Sequence, residues 1–327
     1  MWFCWFLLRQ IYSFTKWCCM IKFALPIPQI CQRFGKKCFI PKDCINSNQT
    51  LKPLTERIIN ANQKLSPNIG IKLGKHNSII VQLQRAEKHN ALSFAMMDQL
   101  IWLAKQIQTW REVRAVILKG EGESFCSGID LADLNHPKNL SKVAWQLVKP
   151  TLSTYQQVCL VWRELSVPVI AVLHGHCIGA GLQLVLACDI RFATPNCQFA
   201  IMESKWGLVP DMGLTQSAIG LAPDVLKTLA ISARTFDAKT ALQYNFVSTI
   251  TETPMESAEH LVAEIAQRSP DAVLASKRII NRMYRQSSTT LYHEKLWQIK
   301  LLLGKNQKLA LKKAKDPTVQ FLPRQFD

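Results

Sequence analysis

The chain has no C-x-x-C pair, no G-x-G-x-x-G, no G-x-x-x-x-G-K-[S/T] and no internal repeat. Eleven cysteines are present, yet none of their spacings suits a zinc site. Dinucleotide and P-loop nucleotide binding lose their usual glycine signatures. The Trp- and Phe-rich run at 1–8 stops at Arg9. That is far short of the roughly 20 residues a membrane-spanning helix needs. An odd cysteine count with no clear secretory signal favours a reducing compartment, and the expected location is cytoplasmic. Acids are scarce, 23 against 40 Lys and Arg.

The charge is unevenly placed. Residues 1–69 carry a net +8, residues 70–269 a net +1 and residues 270–327 a net +8. No acid precedes Asp43, while seven Lys and Arg do, and six cysteines crowd residues 1–65. Residues 1–65 therefore read as a basic extension: a targeting or membrane-surface segment, a poorly ordered tail, or an over-long gene model. Basic ends also attract anionic partners. A solvated, lysine-rich helical surface is the first reading of this charge; a phosphate-bearing ligand or RNA is the anionic partner it would otherwise fit.

From residue 66 the pattern alternates. Strands are expected near 78–83, 114–119, 167–173, 189–194 and 246–250. Helices are expected near 94–109, 141–165, 181–188, 213–231 and 238–244. Repeated β–α units argue for an α/β core with largely parallel strands over 66–254. Asn245 stands where a left-handed residue would end a helix. After 255 only helices are expected, at 255–268, 271–287 and 291–314.

Within that pattern, V-P-V-I-A-V-L at 167–173 runs into H-G-H-C-I-G-A-G-L-Q at 174–183 and then into an apolar run. A strand entering a glycine turn and a helix exposes the helix's first N–H groups at the positive end of its dipole. Such a turn can hold an oxyanion, or it can be a tight connection with no ligand. A second strand, near 114–119, leads into G-E-G-E-S-F-C-S-G-I-D-L at 120–131. The N–H after Gly128 could supply a second donor to the same oxygen.

Here the chain resembles the crotonase (enoyl-CoA hydratase/isomerase) superfamily. F-C-S-G-I-D-L at 125–131, H-G-H-C-I-G-A-G at 174–181, N-A-L at 90–92 and the segment 199–216 follow that family's motifs in order. The resemblance implies a ββα spiral core with a C-terminal helical region, 255–327, used in oligomerisation, as a homotrimer or hexamer. It implies an acyl-CoA thioester as substrate in fatty-acid or related metabolism, with no metal or other cofactor.

It also assigns residues. The N–H groups of Ile129 and Ala180 match the two oxyanion donors. Losing one such donor typically costs about 2.7–4 kcal/mol of transition-state stabilisation. Glu203 matches a catalytic glutamate, and its apolar surroundings should make its carboxyl hard to ionise. Gln183 stands where hydratases carry their other glutamate, and an amide cannot shuttle protons. Asp211 matches an aspartate of the dienoyl-CoA isomerases, which also carry an aspartate at the position of Gln183; a helix cap is its competing role. Ser127, Gly128, Asp130, Gly179, Gly181 and Trp206 are expected around the substrate. His174 and His176 read as structural. Arg85, Lys277 and Arg278 read as phosphate contacts or surface charges.

The expected activity is stabilisation of a thioester enolate with proton transfer at C2, giving double-bond isomerisation or water addition. The alternatives are a crotonase-fold protein binding RNA or a membrane surface, and a catalytically silent homologue.

Overall fold

The computed structural model describes residues 53–268, 270–282, 295, 299, 302–313, 315–316 and 318–319. The strands are β1 (Ile69–Leu73), β2 (Ser78–Leu83), β3 (Ala115–Gly120), β4 (Val169–Leu173), β5 (His176–Ile178), β6 (Ile190–Ala193), β7 (Gln198–Ala200), β8 (Phe236–Asp237) and β9 (Thr249–Ile250). The larger sheet runs β1-β2-β3-β4-β6-β9, with β1 antiparallel to β2 and every other pair parallel. The smaller sheet runs β5-β7-β8.

Parallel strands covered on both faces read as unbroken apolar runs. In β3 and β4, Val116, Leu118, Val169, Ala171 and Leu173 face the main core. Ala115, Ile117, Ile170 and Val172 face the other side, against Ala258 and Val262. The helices are α1 (Leu54–Asn62), α2 (Phe94–Ile107), α3 (Leu131–Asn135), α4 (Leu140–Val148), α5 (Thr154–Arg163), α6 (Ala180–Leu186), α7 (Leu214–Ser217), α8 (Pro223–Ser232), α9 (Ala238–Gln243), α10 (Pro254–Ala266), α11 (Pro270–Arg282) and α12 (Lys305–Lys313). Strand β4, strand β5 and helix α6 form one turn of the expected ββα spiral: one strand for each sheet, then a helix.

Several expectations change. The single helix expected over 141–165 is two, because Pro150 cannot continue a helix and disfavours it at Lys149. Ser153 and Gln156 then restart it with a reciprocal capping box. The helix expected over 213–231 likewise splits into α7 and α8, with Pro223 opening the second. Residues 1–52 of the proposed extension lie outside the described residues. Its remainder belongs to the core: Ile58 and Ala61 of α1 are buried, and Arg57 bonds Glu112 at 3.2 Å. The boundary at 255 does not separate a unit, since Ala258 and Val262 of α10 cover the sheet. The ends of the helices expected at 271–287 and 291–314 fall largely outside the described residues. Asn245 adopts the expected left-handed conformation, φ 61°.

Candidate active site

Two turns meet at the end of the smaller sheet. Cys126 N–H donates to His176 O at 2.9 Å, and Ile178 N–H donates to Cys126 O at 3.0 Å. Leu92 N–H donates to Gly128 O, and Asp130 N–H donates to Leu92 O. Leu92 therefore bonds the two neighbours of Ile129 and leaves the N–H of Ile129 itself unused. Among the described residues no carbonyl accepts from Ile129 N–H or Ala180 N–H. Ala180 opens α6 behind Gly179, whose φ is 53° and ψ −119°, a conformation that favours glycine. A Cβ on Gly128 (φ 115°) would stand 3.9 Å from Ala180 N, so the two donors border one small space. Ala180 itself has no positive φ, and its side chain leaves the N–H free to donate.

The carboxyl group arrives from below β7, in the short 3-10 turn Glu203–Trp206. Ser204 Oγ ties that turn to Ala230 O at 2.6 Å, and Leu208 N–H donates to Glu203 O. Glu203 Oε1 lies 3.6 Å from where a Gly179 Cβ would be. Oε1 accepts from Gln183 Nε2 at 2.6 Å. Gln183 is buried, and its Oε1 accepts from Met212 N–H at 3.0 Å. That backbone donor needs an acceptor, so the amide nitrogen must face Glu203. Glu203 is partly exposed as a residue, but its Oε2 is buried and has no partner among the described residues. Burial pushes its carboxyl above the ordinary value, and the Gln183 bond opposes the rise.

These groups share a cavity of about 560 Å³, within the usual range for small-molecule sites. Ile129, Ala180, Gln183, Glu203, Trp206 and Asp211 all line it. Its remaining wall is largely apolar and includes Leu134, Val143, Leu147 and Tyr155. The cap position of α7 is Gly213, so Asp211 does not occupy it. Burial, and then the charges of Asp211 and Asp98, push the Tyr155 hydroxyl up. Lys295 Nζ donates to Lys149 O at 2.9 Å and to Thr151 O. Burial and Lys149 pull that ammonium down, and Asp211 opposes them. Neither Tyr155 nor Lys295 carries a motif that the sequence alone could have flagged.

Other expected site residues do different work. Asp130 caps α3 through Ala132 N–H and pairs with Arg85 at 2.6 Å. Burial pushes its carboxyl up, but the Arg85 bond and the cap outweigh this and hold it low. Ser127 is exposed and donates to Lys88 O. Gly181 turns away from the cavity: a Cβ there would meet Cys126 Cβ at 2.7 Å, so its smallness serves packing. Lys277 is buried against Asp189 at 2.7 Å and Val167 O, which excludes it as a phosphate contact. Arg85, held by Asp130 and Ala91 O, is likewise committed. Arg278 is exposed. His174 bonds Gly122 O at 2.9 Å, and His176 bonds Ser124 Oγ at 3.1 Å, both structural. Among the described residues, no three His, Cys, Asp or Glu side chains are grouped to hold a metal.

The sequence profile described as enoyl-CoA hydratase/isomerase matches residues 74–306. The chain is similar to a mitochondrial Delta(3,5)-Delta(2,4)-dienoyl-CoA isomerase of Mus musculus, 34% identical over 250 residues, covering 72% of this chain and 75% of the relative. It is similar to the same-named protein of Rattus norvegicus, 30% identical over 295 residues, covering 84% and 88%. Its fold matches a crystal structure of an enoyl-CoA hydratase/isomerase from Pseudoalteromonas atlantica T6c, with a TM-score of 0.69 at 20% identity, covering 78% of this chain and 100% of the other.

Proposed function

The chain belongs to the enoyl-CoA hydratase/isomerase family, and within it we propose a double-bond isomerase acting on an unsaturated acyl-CoA thioester. The observation that carries this is the contact of Gln183 with Glu203. Two-carboxylate water addition needs a second proton carrier beside the first. Here that neighbour is an amide locked between Glu203 Oε1 and Met212 N–H.

Isomerisation needs less. Ile129 and Ala180 N–H groups hold the thioester oxygen as enolate charge develops on it. Glu203 carries the proton at C2, where burial raises its carboxyl above the ordinary value and makes it a better proton holder than a solvated carboxylate. In a 3,5- to 2,4-dienoyl conversion, a proton leaves C2, both double bonds move one carbon towards the thioester, and a proton arrives at C6. Asp211, in the same cavity, is the group for that remote carbon. The relatives named dienoyl-CoA isomerase support this substrate class. Coenzyme A enters as part of the substrate, and no separate cofactor is required. A homotrimer or hexamer is the expected assembly, to be read by sedimentation. The relatives named mitochondrial make residues 1–42, basic and free of acids, a candidate organellar address, with cytoplasmic residence as the alternative.

The test is an ultraviolet assay of the full chain with and without Glu203→Gln. Isomerisation of 3-enoyl-CoA or 3,5-dienoyl-CoA builds a conjugated thioester band. The variant should lose about 10²–10⁴-fold in kcat. Loss of the band from 2-enoyl-CoA, with none built from the others, would mean hydration instead. Equal rates for variant and wild type would remove Glu203 from the mechanism.

A further inference from the structure

Helix α4 is apolar on more than one side. Val143 and Leu147 are buried, whereas Leu140, Trp145 and Val148 are 57%, 62% and 58% exposed. Leu303, just before α12, is 80% exposed. Leu140, Val148 and Leu303 also line the cavity, so they stand at its mouth. Large apolar side chains grouped at one rim mark an interaction surface.

Helix α12 brings basic charge to the same rim, while the acids of the cavity, Glu203 and Asp211, line it alongside. Helix α12 carries Lys305, Lys308 and Lys312 at i, i+3 and i+7, one exposed face of the helix. Lys308 lines the cavity too, which puts that basic face beside the mouth. A second copy docking rim to rim would bring these lysines together, an arrangement that costs free energy. An anionic surface reverses the sign of that term. No described helix is long and apolar enough to cross a membrane, so contact with a bilayer would be from its surface.

We propose that the cavity mouth docks on an anionic lipid surface. Leu140, Trp145, Val148 and Leu303 enter the headgroup boundary, and the α12 lysines face lipid phosphates. In that orientation the cavity opens towards the bilayer, and an acyl chain reaches it past the apolar side chains of its rim and wall.

Co-sedimentation of the full chain tests this, with vesicles of phosphatidylcholine alone and of phosphatidylcholine with phosphatidylserine. Trp145 and Lys312 lie outside the cavity lining. Binding should need phosphatidylserine, and Trp145→Asp and the pair Lys305→Glu with Lys312→Glu should each weaken it by about tenfold or more. Turnover of a soluble substrate by Trp145→Asp should stay at the wild-type rate, which separates docking from catalysis and reports an intact fold. Absence of binding overturns the proposal. So does binding that survives both changes, because it would then belong to another part of the chain. Binding lost with the lysines but not with Trp145→Asp would be plain polyanion attraction, which also overturns it. Sedimentation in which Trp145→Asp splits an oligomer, with vesicle binding unchanged, would make the rim a contact between copies.

Discussion

Replacing Gln183 with Glu tests the reaction assignment most directly. The substitution keeps the shape and keeps an acceptor for Met212 N–H. It puts a second carboxyl where the amide now lies 2.6 Å from Glu203 Oε1. With charge centres about 4 Å apart and an effective dielectric near 20, two carboxylates repel by about 4 kcal/mol. That corresponds to about three pK units, so the pair retains one proton at neutral pH and titrates in two steps. Two consequences follow for catalysis. The pH–rate profile for isomerisation should gain a second inflection, because Glu203 now shares its proton. Water addition to 2-enoyl-CoA should rise above background, since a positioned acid or base contributes about 10²–10⁴-fold. Stopped-time ultraviolet assays across pH, on both substrate types, read both effects. A variant with the wild-type pH profile and no hydration would refute the reasoning: the Gln183–Glu203 contact would then not lie on the proton path.

Three further outcomes are expected. Glu203 is raised above its ordinary 4.5 by burial, so its contribution to stability is fully present below that value and is lost as pH rises through the folded value. Glu203→Gln should therefore gain Tm relative to wild type as pH rises above the ordinary carboxyl value, and a constant difference would contradict the raised value. Gly181→Ala should destabilise by about 1–3 kcal/mol in urea unfolding, because its Cβ would overlap Cys126. Gly220→Ala, with nothing within 4 Å, should not, and equal effects would refute the packing account. Cys126, Cys159, Cys177, Cys188 and Cys197 are buried and, among the described residues, in no disulfide, and burial pushes the thiols of Cys126, Cys188 and Cys197 up to about 12. Maleimide labelling mapped by mass spectrometry should leave these five unmodified until the protein unfolds; prompt labelling of any of them would place it at the surface.

Much of the site was legible because its signals are local. The turn at 174–183 announces a strand, a glycine bend and a helix start within ten residues, and the structure has β4, β5, Gly179 and α6 there. The family motifs put Glu203 and Asp211 on one short segment, and both line one cavity. Helix breaks were harder. Pro150 interrupts an apolar periodicity that runs on past it, and the capping box that restarts α5 is visible only once Ser153 is known to be a cap. The short strands β5, β7 and β8 have two or three residues each, too few for any period to register. Residues 54–62 looked like the rest of the basic N-terminal stretch, and only burial of Ile58 and Ala61 separates them from it.

By itself the amino-acid sequence determined the α/β class and the family, and it singled out Ile129, Ala180 and Glu203 as candidate oxyanion donors and carboxyl group, because each depends on residue type at short spacing. The tertiary structure alone decided what those residues touch. It gave Gln183 to both Glu203 and Met212, Asp130 to Arg85, Lys277 to Asp189 and Gly181 to Cys126. These partners lie between 20 and 88 residues apart in the chain. A contact across such a loop exists only once the sheets have closed, so no local pattern encodes it.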